Sequence, residues 1–429
     1  MSIPTSEPTL TAREQANAEA ARRMCEAEPV LVDLRPAGEV VPGLTATTIL
    51  TSGAPLAWDQ YEGGQRRALI SAAIYEGLAD DEPDAVRKLD AGEIEVSTCH
   101  EHGCIGSVAG IYTASMPVFV VENQRHGNVG FCNLYEGESR RRLNYGVYDD
   151  DVARGLRFLE HTVAPILGAA VRRAGGVPLK PLMARAVRMG DELHSRNTAA
   201  TTLLIKELVP QFVDLAADGE FDGAALRRTV AFLSESDYSF LRLSMAAAKA
   251  TADAAHGVEH SSVMTAMTIN CRDFSIRVSG LPDVWLRGPH AIVEAKLFEP
   301  YTPADIEWIG GESCITETVG LGGFAQAAAF ALQAYQGGSP QEMARVNETM
   351  YDITVAEHPD YLVPYFGYRG TPVGIDVFKV VETGINPVID GGLAGRNGVG
   401  QIGAGILKAP MECFVAARDA YVERYGPVS

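Results

Sequence analysis

Residues 149–257 carry helical periodicity with no strand pattern, and this long block constrains the fold more than any other feature. Amphipathic helices in that number must bury their apolar faces against one another or against a sheet. Strand patterns flank the block on both sides: Val30-Leu31-Val32-Asp33-Leu34 and Met116-Pro117-Val118-Phe119-Val120-Val121 upstream, and Phe274, Ile276 and Val278 alternating with polar residues downstream. The expected fold class is therefore α+β and multidomain, with mixed sheet-containing N- and C-terminal parts around a central helical domain. The expected boundaries are an N-terminal α/β domain over 1–148, a helical domain over 149–258 and a C-terminal α+β domain over 259–429.

Inside the helical block, 182–209 reads as one amphipathic helix that Pro210 stops. Its stripe runs Val187, Gly190, His194, Asn197, Thr201, Leu204 and Leu208. The middle of that stripe is polar where a core helix carries Leu or Ala. Gly190 weakens a helix by ~1 kcal/mol relative to Ala, which implies that a backbone or ligand comes close there. Glu192 and Arg196 stand at i,i+4 in the favourable order for a surface ion pair. Asp191 and His194, at i,i+3, are spaced to meet, which would orient and charge the imidazole.

Other segments carry chemistry of their own. Cys99-His100-Glu101-His102-Gly103-Cys104 concentrates imidazoles and thiols, and in extended form His100, His102 and Cys104 share one face, suited to metal ligation or proton transfer. No second Cys/His pair completes a structural zinc set, so no metal is assigned. The 324–336 segment reads as an Ala-rich buried helix entered from Gly320-Leu321-Gly322-Gly323, whose backbone N–H groups would suit phosphate or carboxylate. That loop matches neither the Walker A nor the dinucleotide fingerprint, and no cofactor is expected. Thr316-Glu317-Thr318 and Val381-Glu382-Thr383-Gly384 are further polar corners.

Composition narrows the partners. A net charge of −19 excludes broad phosphate-backbone contact with nucleic acid, although local arginines still suit a small anion. Seven scattered cysteines without a CxxC argue against a disulfide framework and for a reducing cytoplasm. No apolar run approaches the ~20 residues of a membrane span, the N-terminus lacks signal-peptide character, and residues 1–11 read as a disordered tail.

The stretch Met189-Gly190-Asp191-Glu192-Leu193-His194-Ser195-Arg196-Asn197-Thr198-Ala199-Ala200-Thr201 resembles the signature of the AllG (YlbE-like) family. Segments 114–123, 315–325, 374–384 and 400–405 resemble further family segments in the same order, so the similarity spans 30–415. The resemblance implies a subunit of an oxamate carbamoyltransferase of anaerobic allantoin breakdown. That enzyme interconverts oxalurate plus phosphate with oxamate plus carbamoyl phosphate, in an oligomer with FdrA-like and AllH-type subunits. The chain departs from the family pattern at Ser107-Val108, at 132–137 and at 270–273. Contact of those turns with substrate would leave room for a substrate other than oxamate.

Carbamoyl transfer needs an oxyanion stabiliser, an anion cradle and a group that moves a proton at the amide nitrogen. The expected cradle is the backbone of Gly322 and Gly323 with Arg196 as cation. His100, His102 or His194 would carry the proton, with Asp191 setting the tautomer. Asn123, Asn197 and Thr318 would hold the planar amide, and Glu317, Glu382 and Thr383 complete the substrate-binding set. This scheme requires His194 and the 320–323 loop to reach one substrate. Two other readings stay open: an amidohydrolase acting on a ureide or cyclic amide through the Cys/His cluster, and a non-catalytic scaffold subunit whose polar segments face its partners.

Overall fold

The computed structural model describes residues 10–236 and 238–427, so most of the tail expected over 1–11 lies outside the described residues. Helices and several sheets share the chain, which is the α+β class expected. Thr11 opens the first helix, Ala12–Glu26, through a capping box with Glu14. The apolar run that follows forms the strand Pro29–Pro36 of a five-stranded sheet. Its order is Cys104–Ile105, Val129–Asn133, Pro117–Asn123, Pro29–Pro36, Val177–Pro178. The outer pair Cys104–Ile105 and Val129–Asn133 is parallel, the rest antiparallel.

The central stretch is helical except for the two-residue strand Val177–Pro178, which its periodicity does not show, and includes Ala164–Arg173, Gly223–Glu235 and Leu241–Ala254. The apolar faces of these helices and the sheet share one cluster. Leu31, Phe119 and Val121 pack with Leu167, Leu204 and Met245, and the cluster extends to Ile315 and Leu321. Each such side chain contributes ~2 kcal/mol by leaving water. Downstream, Met264–Ile269, Phe274–Val278 and Leu281–Gly288 form an antiparallel sheet. The glycine-rich 391–405 segment is a hairpin between the strands Val388–Ala394 and Gln401–Lys408. These pack a second cluster around Phe274, Phe324 and Phe414. No helix among the described residues is long and apolar enough to cross a membrane, and all seven cysteines are free.

Two helices expected from periodicity are broken. The 182–209 helix is two helices, Leu179–Arg188 and Thr198–Ala217, separated by a loop over 189–197. Gly190 (φ +106) and Leu193 (φ +70) sit in the left-handed region, which a continuous right-handed helix excludes. Pro210 does not stop the second helix but lies within it on the exposed face. The lost N–H bond, ~3 kcal/mol at most interior sites, is outweighed by burial of Leu204, Leu208, Phe212 and Leu215. The 324–336 helix is instead two 3-10 turns, Gly322–Ala328 and Phe330–Leu332, followed by a short helix, Gln333–Gln336. Asn347 causes the break by taking over the local backbone: its Oδ1 accepts Ala327 N–H (3.0 Å) and its Nδ2 donates to Phe324 O (2.7 Å).

Candidate active site

The 189–197 loop is folded by its own carboxylates. Glu192 is fully buried and accepts the backbone N–H groups of His194 (2.8 Å), Ser195 and Arg196 (3.1 Å). Asp191, also buried, accepts that of Ala200 (2.8 Å) in the first turn of the next helix. These oxygens satisfy N–H groups that the interrupted helix leaves without carbonyl partners. The surface pair expected between Glu192 and Arg196 is therefore not formed. Arg196 donates its Nε to Gly190 O (3.0 Å) and stands 3.5 Å from Asp191 Oδ1. Gly190 answers to its positive φ rather than to a close approach, since a Cβ there would meet only Ala328 O, at 3.9 Å.

So folded, the loop turns His194 onto Glu317. The imidazole Nδ1 lies 2.8 Å from Oε1 and 3.1 Å from Oε2. The same carboxylate accepts from Thr316 Oγ1 and from the backbone N–H groups of Gly323 and Asp390, each at 2.9 Å. Burial alone would lower the pKa of His194, but the charge and hydrogen bond of Glu317, with the charge of Asp390, outweigh it and raise the pKa. The group that orients this imidazole is Glu317 and not Asp191 as expected. Asp390, whose own pKa burial raises, accepts from Ser195 Oγ (3.2 Å) and Gln326 Nε2 (3.1 Å).

His194 lines a cavity of about 580 Å³ whose wall draws on all three parts of the chain: Ser107, Val108 and residues within 135–145; residues within 194–198 and 238–242; and residues within 306–314 and 389–394. With Nδ1 taken by Glu317, the ring nitrogen left for a ligand in this cavity is Nε2. Arg140, Arg142, Arg196 and Arg242 line it together with Glu136, Glu138 and Glu307, a locally cationic wall in a chain of net charge −19. Arg142 lies 4.7 Å over the ring of Tyr135 and donates to its hydroxyl at 2.9 Å.

Most other sequence candidates lie outside this cavity. His100 and His102 are on a 3-10 turn, Cys99–His102, not on an extended strand, so they share no face with Cys104. His100 is buried with Nδ1 3.2 Å from Lys249 Nζ, and burial and that ammonium push its pKa well down. His102 bridges Pro42 O (2.7 Å) and Ser97 Oγ (2.8 Å). Asn123 accepts the N–H of Glu28 (3.0 Å) and donates to Ala250 O (3.2 Å), a structural tie. Thr318 is buried and faces Cys314 O. Glu382 and Thr383 are at the exposed end of the helix Val377–Thr383. Asn197 is buried and donates to His194 O (2.9 Å), so it shapes the loop.

Gly322 and Gly323 fail as an anion cradle because their N–H groups are already donated, Gly322 to Glu192 O (2.7 Å) and Gly323 to Glu317 Oε1. Their loop does lie against His194, but as its support. Among the described residues, no group of three or more His, Cys, Asp or Glu is arranged to hold a metal ion. The sequence candidates do not include Arg140, Arg142, Arg242 or Asp390. The Arg140-Arg141-Arg142 run in an acidic chain was an available signal; Arg242, at the start of an Ala-rich helix, gave none. Of the departures from the family pattern, Ser107-Val108 and the Tyr135-Glu136 part of 132–137 line the cavity.

The family model described as "Oxamate carbamoyltransferase subunit AllG" matches residues 94–313. The oxamate carbamoyltransferase subunit AllG of Escherichia coli (strain K12) is 37% identical over 420 residues, covering 97% of this chain and 99% of its own. The chain belongs to the AllG family. A second relative from the same organism, "Uncharacterized protein YahG", is 40% identical over 412 residues, covering 96% of this chain and 86% of its own. The crystal structure of a conserved protein of unknown function from Enterococcus faecalis V583 superposes with a TM-score of 0.93 at 38% identity, covering 97% of this chain and 99% of that one. Of the AllG-like segments, 189–201 and 315–325 interlock through the His194–Glu317 and Gly322–Glu192 contacts. Segment 374–384 contributes no residue to the cavity wall.

Proposed function

We propose that this chain supplies the carbamoyl-transfer site of an oxamate carbamoyltransferase. It interconverts oxalurate plus phosphate with oxamate plus carbamoyl phosphate, as one subunit of a cytoplasmic complex with FdrA-like and AllH-type partners. The observation that carries the reading is His194, fixed on Glu317 and lining a cavity walled by arginines. In the phosphorolytic direction a phosphate oxygen attacks the ureido carbon, the C–O bond forms, and a tetrahedral centre collapses as the C–N bond breaks. The departing amide nitrogen takes up a proton and hydrogenphosphate gives one up, so the step balances without net acid.

His194 is the proton carrier in this scheme. Its raised pKa favours an imidazolium that can donate to the leaving nitrogen. In the reverse direction Glu317 stabilises the positive charge that the ring acquires when it takes a proton from oxamate. Positioned proton transfer of this kind is worth about 100- to 10,000-fold in rate, and Arg196 at the same wall offsets charge on the tetrahedral oxygen. The hydrolytic reading through a cysteine has less support, because burial raises the Cys99 and Cys104 thiols well above their ordinary pKa and neither lines the cavity.

The test is carbamoyl phosphate formation from oxalurate and phosphate by the purified chain together with its partner subunits. His194→Asn is expected to lower the rate by at least ~100-fold while leaving complex assembly intact. Undiminished turnover by His194→Asn would remove His194 as the proton carrier.

A further inference from the structure

Arg242 lines the same cavity from the helix Leu241–Ala254, yet only 4% of its surface is exposed. Its Nη1 donates to Asn133 Oδ1 at 2.9 Å, and its Nε–H is buried with no acceptor among the described residues. The partner is thus an amide, not a carboxylate. Glu136, an acid in the same wall, gives its oxygens to the backbone N–H groups of Leu143 (2.7 Å) and Asn144 (3.1 Å) and to the Asn144 amide. A chain with 55 acidic and 36 basic residues has carboxylates in excess, so a buried guanidinium left on an amide is costly and calls for an anion from elsewhere.

The side chain is also held in place. Asn133 is locked by its own bonds, Nδ2 to Ile111 O (3.0 Å) and backbone N–H to the Tyr112 hydroxyl (3.0 Å), so the oxygen that receives Arg242 is fixed. Two residues along the helix, Ser244 Oγ donates to Leu193 O (2.8 Å), the residue before His194. The arginine and the imidazole are therefore carried by elements tied directly to each other.

We infer that Arg242 is the fixed oxyanion-binding residue of the cavity. Its guanidinium receives an oxygen of a small phosphate or carboxylate ligand, and the exposed Arg140 supplies a second cation on the same wall. The inference rests on the cavity being the substrate site, and it does not require His194 to be the proton carrier.

Thermal melts of the full chain in inorganic phosphate, and separately in oxamate, at constant ionic strength test it. At least one anion is expected to raise the Tm, phosphate alone assigning a phosphate subsite and oxamate alone a carboxylate subsite. Arg242→Gln is expected to weaken that anion by about 10- to 100-fold, the worth of charge-assisted hydrogen bonds. Without ligand, Arg242→Gln should melt no lower than the parent, since it removes an uncompensated buried charge. Arg242→Lys, which keeps the charge but loses the planar fork, should retain part of the shift. No shift of the parent by either anion, an equal shift in Arg242→Gln, or a clear drop in the ligand-free Tm of Arg242→Gln would each overturn the inference. A shift that survives in His194→Asn while that variant still turns over removes His194 as proton carrier and leaves Arg242 standing.

Discussion

Both carboxylate oxygens of Glu317 face Nδ1 of His194, at 2.8 and 3.1 Å, and both residues are almost wholly buried. They stand far apart in sequence, on segments that also exchange a backbone hydrogen bond between Gly322 and Glu192. A carboxylate so placed fixes the ring, raises its pKa and leaves one nitrogen for the cavity.

Glu317→Gln isolates the charge from the geometry. A glutamine oxygen in the place of Oε1 still accepts from Gly323 and Asp390, and its amide still reaches Thr316, so the loop keeps its shape. The imidazolium loses its counter-charge. Turnover should fall by about 100- to 1000-fold with little change in KM, and the limb of the pH–rate profile that reports His194 should move to lower pH. A fall in activity with an unmoved profile would mean that Glu317 acts only in folding.

The pH dependence of stability follows from the same pair. The folded-state pKa of His194 is raised above its unfolded value, so the folded protein holds this proton more tightly. The stabilisation is fully present below the unfolded pKa of ~6.5 and is lost as pH rises through the folded value. The charges of Glu317 and Asp390 act on the ring, so the clean observable is the Tm gap between the parent and His194→Asn. That gap should shrink as the pH rises above about 6.5; a gap that does not change with pH would show that folding does not raise the pKa of the ring.

The sequence exposed this site through its polarity and concealed it through its geometry. His194 and Asn197 stand out because polar groups interrupt an apolar stripe, Arg196 through its i,i+4 spacing from Glu192, and Arg196 and His194 do line the cavity. The stripe nevertheless fits a helical period on paper, because period says nothing about two residues taking positive φ. Glu192 stabilises the break by capping three N–H groups that the helix would have paired internally. The glycine corner misled for the same reason. Its N–H groups suit an anion, but only that of Gly323 meets one, Glu317 from the preceding turn, while that of Gly322 is donated to the Glu192 carbonyl. Arg242 lay beyond sequence reasoning because only folding shows which cations lack a carboxylate. The α+β class was legible, since strand and helix periods alternate in long blocks with strong burial contrast.

Gly322→Ala probes the support beneath the pair. Gly322 has φ +55, and a Cβ there would lie 2.1 Å from Glu317 Oε1. The substitution combines left-handed strain with displacement of the carboxylate and should cost roughly 2–3 kcal/mol, with loss of activity beyond what the lower Tm explains. Gly77→Ala is the control: its φ is +74 but nothing lies within 4 Å of the added Cβ. It should cost only the backbone strain, ~1 kcal/mol, and leave activity unchanged. Equal effects on activity at both positions would refute the support role.

Cys104→Ala separates transfer from thiol-dependent hydrolysis. Cys104 is completely buried in the edge strand Cys104–Ile105, burial raises its thiol well above the ordinary pKa, and it contributes nothing to the cavity wall. A thiol so placed is a small core side chain rather than a nucleophile. Cys104→Ala should therefore lower stability by only ~1 kcal/mol and leave turnover within about twofold of the parent, as Michaelis–Menten kinetics on the assembled complex would show. Complete loss of activity in a folded Cys104→Ala chain would transfer the chemistry to the 99–104 segment and displace His194 from it.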